Sequence, residues 1–207
     1  MDQFQQNFSH SYGNPLSSRV NSFWIVAVGI LAAASFVLLV YLTVFPILNL
    51  RNFNLEIESA RTAWQNNQHT EIIAHSEEAL KLASNDTQEA SARYWLGIGY
   101  YRQDNLDKAE ENEKTAIKLQ PDFVGPYVTL GAIMHSRRNL QEARGLAEKA
   151  IELDPKYAWG YNLLGIVLAD EGKREEAVTQ FKKAIELDSQ QTIFQQNLQR
   201  VEQSFNQ

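Results

Sequence analysis

Three stretches of this chain repeat one another at a spacing of 34 residues. TAIKLQPDFVGPYVTLG begins at Thr115, KAIELDPKYAWGYNLLG begins at Lys149, and KAIELD begins at Lys183, where the match ends. A recurrence of this length indicates one supersecondary unit copied along the chain. Such a unit cannot bury its apolar face alone, so neighbouring copies must stack and share a continuous core.

Small residues hold fixed places in the repeat. The recurring positions are Gly97, Gly131 and Gly165; Ala109, Ala143 and Ala177; and Ala116, Ala150 and Ala184. They mark the places where the two helices of a hairpin cross closely, and Pro121 and Pro155 end two of the units because proline cannot continue a helix. Apolar residues elsewhere recur at three- and four-residue spacing, and no segment alternates like a strand. The sequence therefore predicts an all-α fold of antiparallel helical hairpins.

This 34-residue pattern of small residues, apolar residues and prolines resembles that of the tetratricopeptide repeat (TPR) family. Three units fit it clearly, residues 90–123, 124–157 and 158–191, and residues 53–89 fit as a degenerate hairpin. In that hairpin Ala60 stands in place of the first-helix glycine, Ile72 stands in place of the next alanine, and three residues are inserted before Ala90. Residues 192–207 are expected to form a cap helix over the last hairpin. The resemblance implies a superhelix whose first helices line a protein-binding groove.

By that resemblance, nine side chains are expected in the groove: Tyr94, Ile98, Tyr101, Arg102, Val128, His135, Trp159, Asn162 and Ile166. Tyr101 and Trp159 are the expected anchors, because neither stands where the repeat needs a packing residue. Tyr94 and Tyr127 have a second interpretation, as rings that pack between repeats. TPR domains that clamp a carboxylate need Lys and Asn where this chain has Tyr94, Ile98 and Val128, so that function is not carried over.

A long uncharged run precedes the repeats. Residues 20–50 carry no charge, and the 23 residues 23–45 would form a helix of about 35 Å, enough to cross a bilayer core of about 30 Å. We predict a disordered polar tail over residues 1–21 and a transmembrane helix over residues 22–46, with Pro46 at its exit. A signal peptide cleaved after LAAAS is the alternative, but the apolar run continues beyond it. The few flanking arginines leave the orientation open.

Charge and composition exclude several classes of partner and site. The first 51 residues hold Arg19, Arg51 and Asp2, a net charge of +1, so residues 52–207 carry −7 and the whole chain carries −6. An acidic body argues against a nucleic-acid partner. There is no cysteine, and no histidine pair has metal-ligand spacing. We therefore expect no catalytic, metal-binding or cofactor-binding residues, and we expect Glu110, Glu111 and Glu113 to lie on a solvated outer face.

The predicted function is that of a membrane-anchored scaffold or assembly factor whose groove binds a peptide or helix of a membrane complex. The arrangement is similar to that of cyanobacterial and plastid TPR proteins that assist photosystem I assembly. A bacterial inner-membrane protein with periplasm-facing repeats that bind secreted clients, and a non-catalytic accessory subunit, are the alternatives. A thylakoid or a bacterial inner membrane is therefore favoured. Gly29 and Ala33 form a small-residue pair that predicts a weak homodimer.

Overall fold

The computed structural model describes residues 15–203, with the side chains of Trp24 and of residues 26–203. The described residues form helices and no strands, which confirms the all-α prediction. The helices are α1 (Pro15–Gln65), α2 (His69–Leu82), α3 (Asp86–Arg102), α4 (Leu106–Leu119), α5 (Val124–Ser136), α6 (Leu140–Leu153), α7 (Ala158–Asp170), α8 (Arg174–Leu187) and α9 (Thr192–Gln203).

The described residues fall into two compact units, divided between Asn49 and Leu50. In the first unit the apolar side chains of α1 are exposed, and Leu31 and Phe36 are each 66% accessible. Within Val26–Gln65 this helix contains a stretch long and apolar enough to cross a membrane.

The structure adds two facts about the N-terminal segment, whose predicted tail and membrane bounds stay predictions. Helix α1 starts at Pro15 and so includes residues 15–21, and proline is favoured in a first helical turn. Residues 1–14 lie outside the described part. Pro46 lies inside α1, which continues to Gln65. A proline removes one helical hydrogen bond, and helix-forming residues on both sides carry the helix past it.

The second unit is a stack of hairpins. Helix α3 packs against α4, α5 against α6 and α7 against α8, and each hairpin contacts the next through the pairs α4–α5 and α6–α7. Helix α2 packs on α3, and α9 packs on α8 at the other end. The end of α1 joins this stack through Phe53, Ile57 and Ala60, which lie in one core cluster with Ile72 of α2.

A residue with left-handed backbone conformation lies in the turn of each of these three hairpins. Asp104, Arg138 and Gly172 have φ values of 60°, 62° and 80°. After each of them an amide N–H bonds back to a carbonyl of the preceding helix, as Asn105 does to Tyr100. This arrangement satisfies carbonyls that the helix end would otherwise leave unpaired. The same turn therefore sets the same hairpin geometry in successive repeats.

Close helix crossings explain the recurring glycines. A Cβ atom built on Gly165 would lie 2.7 Å from the Phe181 ring, and one built on Gly131 would lie 2.5 Å from Leu163. Phe181 is 1% exposed and belongs to the largest core cluster of the repeats. The glycine in each first helix therefore makes room for a large side chain from the partner helix or from the next repeat.

Candidate protein-binding groove

The odd-numbered helices of the second unit share one concave surface, which we call the groove. It encloses a cavity of about 540 Å³. Its lining is Arg61, Trp64 and Gln65 from α1; Tyr94, Trp95, Ile98, Tyr101 and Arg102 from α3; Val128, Thr129 and Ala132 from α5; Tyr157, which immediately precedes α7; Trp159, Asn162, Leu163 and Ile166 from α7; and Ile193 and Asn197 from α9.

The structure brings together eight of the nine side chains predicted for the groove. His135 is the exception, since its Nε2 lies 2.9 Å from the Asp170 carboxylate and its side chain is not part of the lining. The TPR resemblance assigned His135 to the groove, but it lies close to the end of α5, where Asp170 of the next first helix is within reach. That the other eight bind a protein stays a prediction.

Aromatic rings form a connected series along the groove. Trp64 lies edge-on to Trp95 at 6.4 Å and to Trp159 at 6.2 Å between ring centroids. Trp159 in turn meets Phe194 of α9 at 4.9 Å. Edge-to-face ring pairs at these distances stabilise a protein by more than the burial of their apolar area alone would give. The groove wall is therefore held by ring contacts that join α1, α3, α7 and α9.

Trp159 lines the groove and also packs against other helices. The repeat pattern gave it no packing position, but its ring meets those of the fully buried Phe194 and of Trp64 edge to face. The reason is the cap helix, whose Phe194 fills the space beside the last first helix. Trp159 is thus part of the groove and part of the contact that docks α9.

Tyr94 combines the two interpretations that the sequence left open. It lines the groove, and it also packs between repeats, because its ring lies 5.0 Å from that of Phe123 and a Cβ on Gly125 would lie 2.7 Å from its Cζ. Burial raises the pKa of Tyr94 well above its usual value, with Tyr157 and Glu113 acting in the same direction. Tyr127 is buried and donates a hydrogen bond of 2.8 Å to the Pro121 carbonyl.

Asn162 is held in a buried hydrogen bond with the cap helix. Its Oδ1 accepts a hydrogen bond of 2.9 Å from Nδ2 of Asn197, and each side chain is 5% exposed. A buried amide pair of this kind satisfies both partners at once. The pair therefore forms a polar part of the groove lining and links α7 to α9.

Glu113 corrects the prediction of a solvated acidic face on α4. Its side chain is fully buried, and neither carboxylate oxygen has a hydrogen-bond partner among the described residues. A Cβ on Gly97 would lie 2.3 Å from Glu113 Oε1, so the carboxyl group occupies the crossing of α3 and α4. Burial raises the pKa of Glu113 well above its usual value. In the last repeat, Phe181 fills the corresponding space beside Gly165.

Sequence reasoning missed the contribution of the first and last helices to the groove. Arg61 and Trp64 come from the degenerate hairpin, and Ile193 and Asn197 come from the cap helix. The sequence did contain a signal for Trp64. Ala60 is the counterpart of Gly97 in the degenerate hairpin, and Trp64 follows Ala60 by four residues, as Tyr101 follows Gly97. No repeat pattern marks the residues of α9.

Stacked helical hairpins with a groove along their first helices define a helical repeat scaffold. Comparison with known proteins supports the tetratricopeptide repeat family: residues 146–179 match the tetratricopeptide repeat model. No curated protein matches the chain. The solved structure of TTC0263, a thermophilic TPR protein of Thermus thermophilus, is 21% identical with a TM-score of 0.66, over 74% of this chain and 82% of that one.

Two further solved structures have the same fold. MamA is 26% identical with a TM-score of 0.52, over 68% of this chain and 81% of that one. The first TPR of Spaghetti (RPAP3), bound to the HSP90 peptide SRMEEVD, is 19% identical with a TM-score of 0.53, over 59% of this chain and 98% of that one. The second unit therefore has the fold of TPR domains, which are non-catalytic scaffolds that bind proteins or peptides.

Proposed function

We propose that this chain is a membrane-anchored TPR scaffold that holds a segment of a partner protein in the groove and assists the assembly of a membrane complex. The observation that carries the proposal is the cavity of about 540 Å³, whose aromatic lining comes from α1, from α3 and from the start of α7. Aromatic side chains in a concave site are the usual source of binding free energy at protein interfaces. The bound peptide in the Spaghetti structure supports the same use of the fold.

The exposed apolar surface of residues 26–49 supports the anchor. An anchored groove meets membrane-bound partners at a raised effective concentration, because both are confined to one surface. Weak groove contacts would then be enough for transient capture, which suits an assembly factor. Photosystem I biogenesis is the particular case that we propose first.

The experiment is affinity capture after gentle detergent solubilisation from native membranes, with the captured proteins identified by mass spectrometry. Ala132 lines the groove, so Ala132→Trp would fill it without removing a large core side chain. Gln141→Trp is the matched control, because Gln141 is exposed on α6 and outside the lining. We expect the partner to be lost with Ala132→Trp and kept with Gln141→Trp. Equal capture by both variants would exclude the groove as the binding surface.

The captured proteins and the orientation separate the alternatives. Photosystem I subunits among the groove-dependent partners would support the first case, and secreted proteins would favour periplasm-facing repeats. An accessory subunit would instead co-purify in fixed ratio with a mature enzyme. Protease treatment of sealed vesicles reports the side on which the repeats lie.

A weak homodimer through Gly29 and Ala33 belongs to the same proposal. A Cβ on Gly29 meets nothing within 4 Å in the monomer, so this surface is open to a second helix. Crosslinking in membranes should decrease with Gly29→Leu if the dimer forms there.

A further inference from the structure

The groove differs in charge from the chain around it. Its charged side chains are Arg61 and Arg102, and no aspartate or glutamate of the described residues lines it. Residues 52–207 nevertheless carry a net charge of −7. The concave surface is thus a cationic site within an acidic body, and charge complementarity selects an anionic occupant.

Both groove arginines are available to a ligand. Arg102 is exposed and forms no ion pair with any described residue. Arg61 lies 3.3 Å from the Glu58 carboxylate, but the side chains are 52% and 62% exposed. A pair as exposed as this contributes little stability, so a ligand carboxylate can replace Glu58 at small cost. Arg61 also lies 6.0 Å from the centroid of the Trp95 ring, which keeps the guanidinium beside the groove wall.

Two other arginines of the repeats form ion pairs between helices. Arg137 of the α5–α6 turn pairs with Asp107 at 2.5 Å and also with Glu110, both on α4. Arg144 pairs with Glu148 on its own helix and with Glu171 of the next hairpin. These pairs link neighbouring helices, a role that Arg102 does not have. Arg174 is also exposed and without an ion pair among the described residues, but it lies outside the groove, so Arg102 is an unpaired guanidinium that a ligand in the groove can reach.

The size of the cavity limits the occupant. A helix of about 10 Å diameter would fill 540 Å³ with roughly one turn. The volume lies within the range of about 300–1,000 Å³ that holds one small ligand or a few side chains. A few residues of a partner can enter, whereas a long helix cannot lie wholly inside.

We propose that the groove takes a short acidic segment of a partner protein, in which carboxylates flank an aromatic or branched apolar side chain. The carboxylates pair with Arg61 and Arg102, for which a planar guanidinium offers two parallel donors. The apolar side chain packs against Tyr101 and the tryptophans of the wall. This inference rests on the proposed function and specifies its ligand.

The test is selection from a displayed library of random heptapeptides, with the full-length protein in detergent as bait. The baits are the wild type, the double variant Arg61→Gln with Arg102→Gln, and Arg174→Gln. Arg174 is the matched control, because it is an exposed arginine outside the groove. We expect the wild type and Arg174→Gln to enrich aspartate and glutamate several-fold over the input library, and the double variant to lose this enrichment.

A second measurement uses one selected peptide and its counterpart with asparagine and glutamine in place of the acids. Three of the four tryptophans line the groove, so indole fluorescence reports binding once Trp24 is replaced by phenylalanine. The neutral counterpart should bind about tenfold more weakly or worse, and rising salt should reduce the difference because it screens the charges.

The possible failures are distinguishable. Selected peptides without acidic bias, whose binding Ala132→Trp abolishes, would overturn this inference and leave the proposed function intact. If no bait selects any peptide, both fail. Binding of phosphatidylglycerol vesicles that the double variant loses, without acidic peptides, would assign the arginines to lipid and overturn the proposal.

Discussion

The indole rings of Trp64 and Trp159 meet edge to face, with 6.2 Å between their centroids. Trp64 lies in the last turn of α1, and Trp159 lies in the first turn of α7. Two hairpins separate these positions in the chain, so only the curvature of the stack brings the rings together. Because both line the groove, their contact closes part of its wall.

A double-mutant cycle should detect this contact in the stability of the protein. We expect Trp64→Leu and Trp159→Leu each to destabilise the repeats, and the double variant to lose less than the sum. The expected coupling is about 0.5–1.5 kcal/mol, the contribution of one aromatic pair. Denaturant unfolding of the full chain in detergent, followed by circular dichroism, measures it. Strict additivity would mean that the rings do not interact in solution.

Tyr101 should contribute to partner binding more than its neighbour Tyr100. Both rings are partly buried against the same core cluster, but only Tyr101 lines the groove. We expect Tyr101→Ala to weaken binding of a groove ligand by about 1–3 kcal/mol. Tyr100→Ala should lose similar stability and little affinity. Affinity and melting temperature are measured on the same two variants, and equal affinities would remove Tyr101 from the site.

Glu113 should make the repeats less stable as pH rises. Its folded-state pKa is raised by burial, so the folded protein holds a proton that the unfolded chain releases above the usual carboxyl pKa. The contribution is therefore fully present at low pH and decreases by about 1.4 kcal/mol per pH unit until the folded pKa is reached. Glu113→Gln should remove this decrease, as seen in unfolding curves between about pH 5 and 9.

The exposed neighbour Glu111 provides the control for that experiment. Glu111→Gln should follow the wild-type pH dependence, since its carboxyl group is solvated in both states. If Glu113→Gln and the wild type change in parallel with pH, the Glu113 carboxyl is not buried as described here.

Replacement of two helical glycines by alanine should change the stability of the repeats in opposite directions. Gly165→Ala places a methyl group 2.7 Å from the Phe181 ring, and we expect the overpacking to cost about 1–3 kcal/mol. Gly145 in α6 has nothing within 4 Å of its added Cβ, so Gly145→Ala should gain about 0.5–1 kcal/mol from helix propensity. Melting temperatures of the two variants check the crossing, and a stable Gly165→Ala would contradict it.

The apolar part of α1 should keep the protein in membranes after a carbonate wash. Its exposed side chains, such as Leu31 and Phe36, have no protein cover in the described residues. A shortened chain that starts at Leu50 should be released by the same wash. A mature protein that starts near Ser35 and is soluble would show instead that the segment is a cleaved signal peptide.

Local pattern was enough to predict the helices of the repeats. The resemblance to the TPR family then assigned Tyr94, Ile98 and Tyr101 to the groove, and their spacing of four and three residues is consistent with one helix face. Repetition then extended the assignment to α5 and α7. The fold class followed from the same periodicity, because a copied hairpin must bury its face against the next copy.

Tertiary structure alone decided the features that repetition does not encode. Glu113 stands on a position whose burial depends on the crossing with Gly97, and its charge made the surface the natural expectation. Trp64 reaches Trp159, and Asn197 reaches Asn162, across distances set by the curvature of the whole stack. Curvature is the sum of small rotations between successive hairpins, which depend on packing and not on any single sequence spacing.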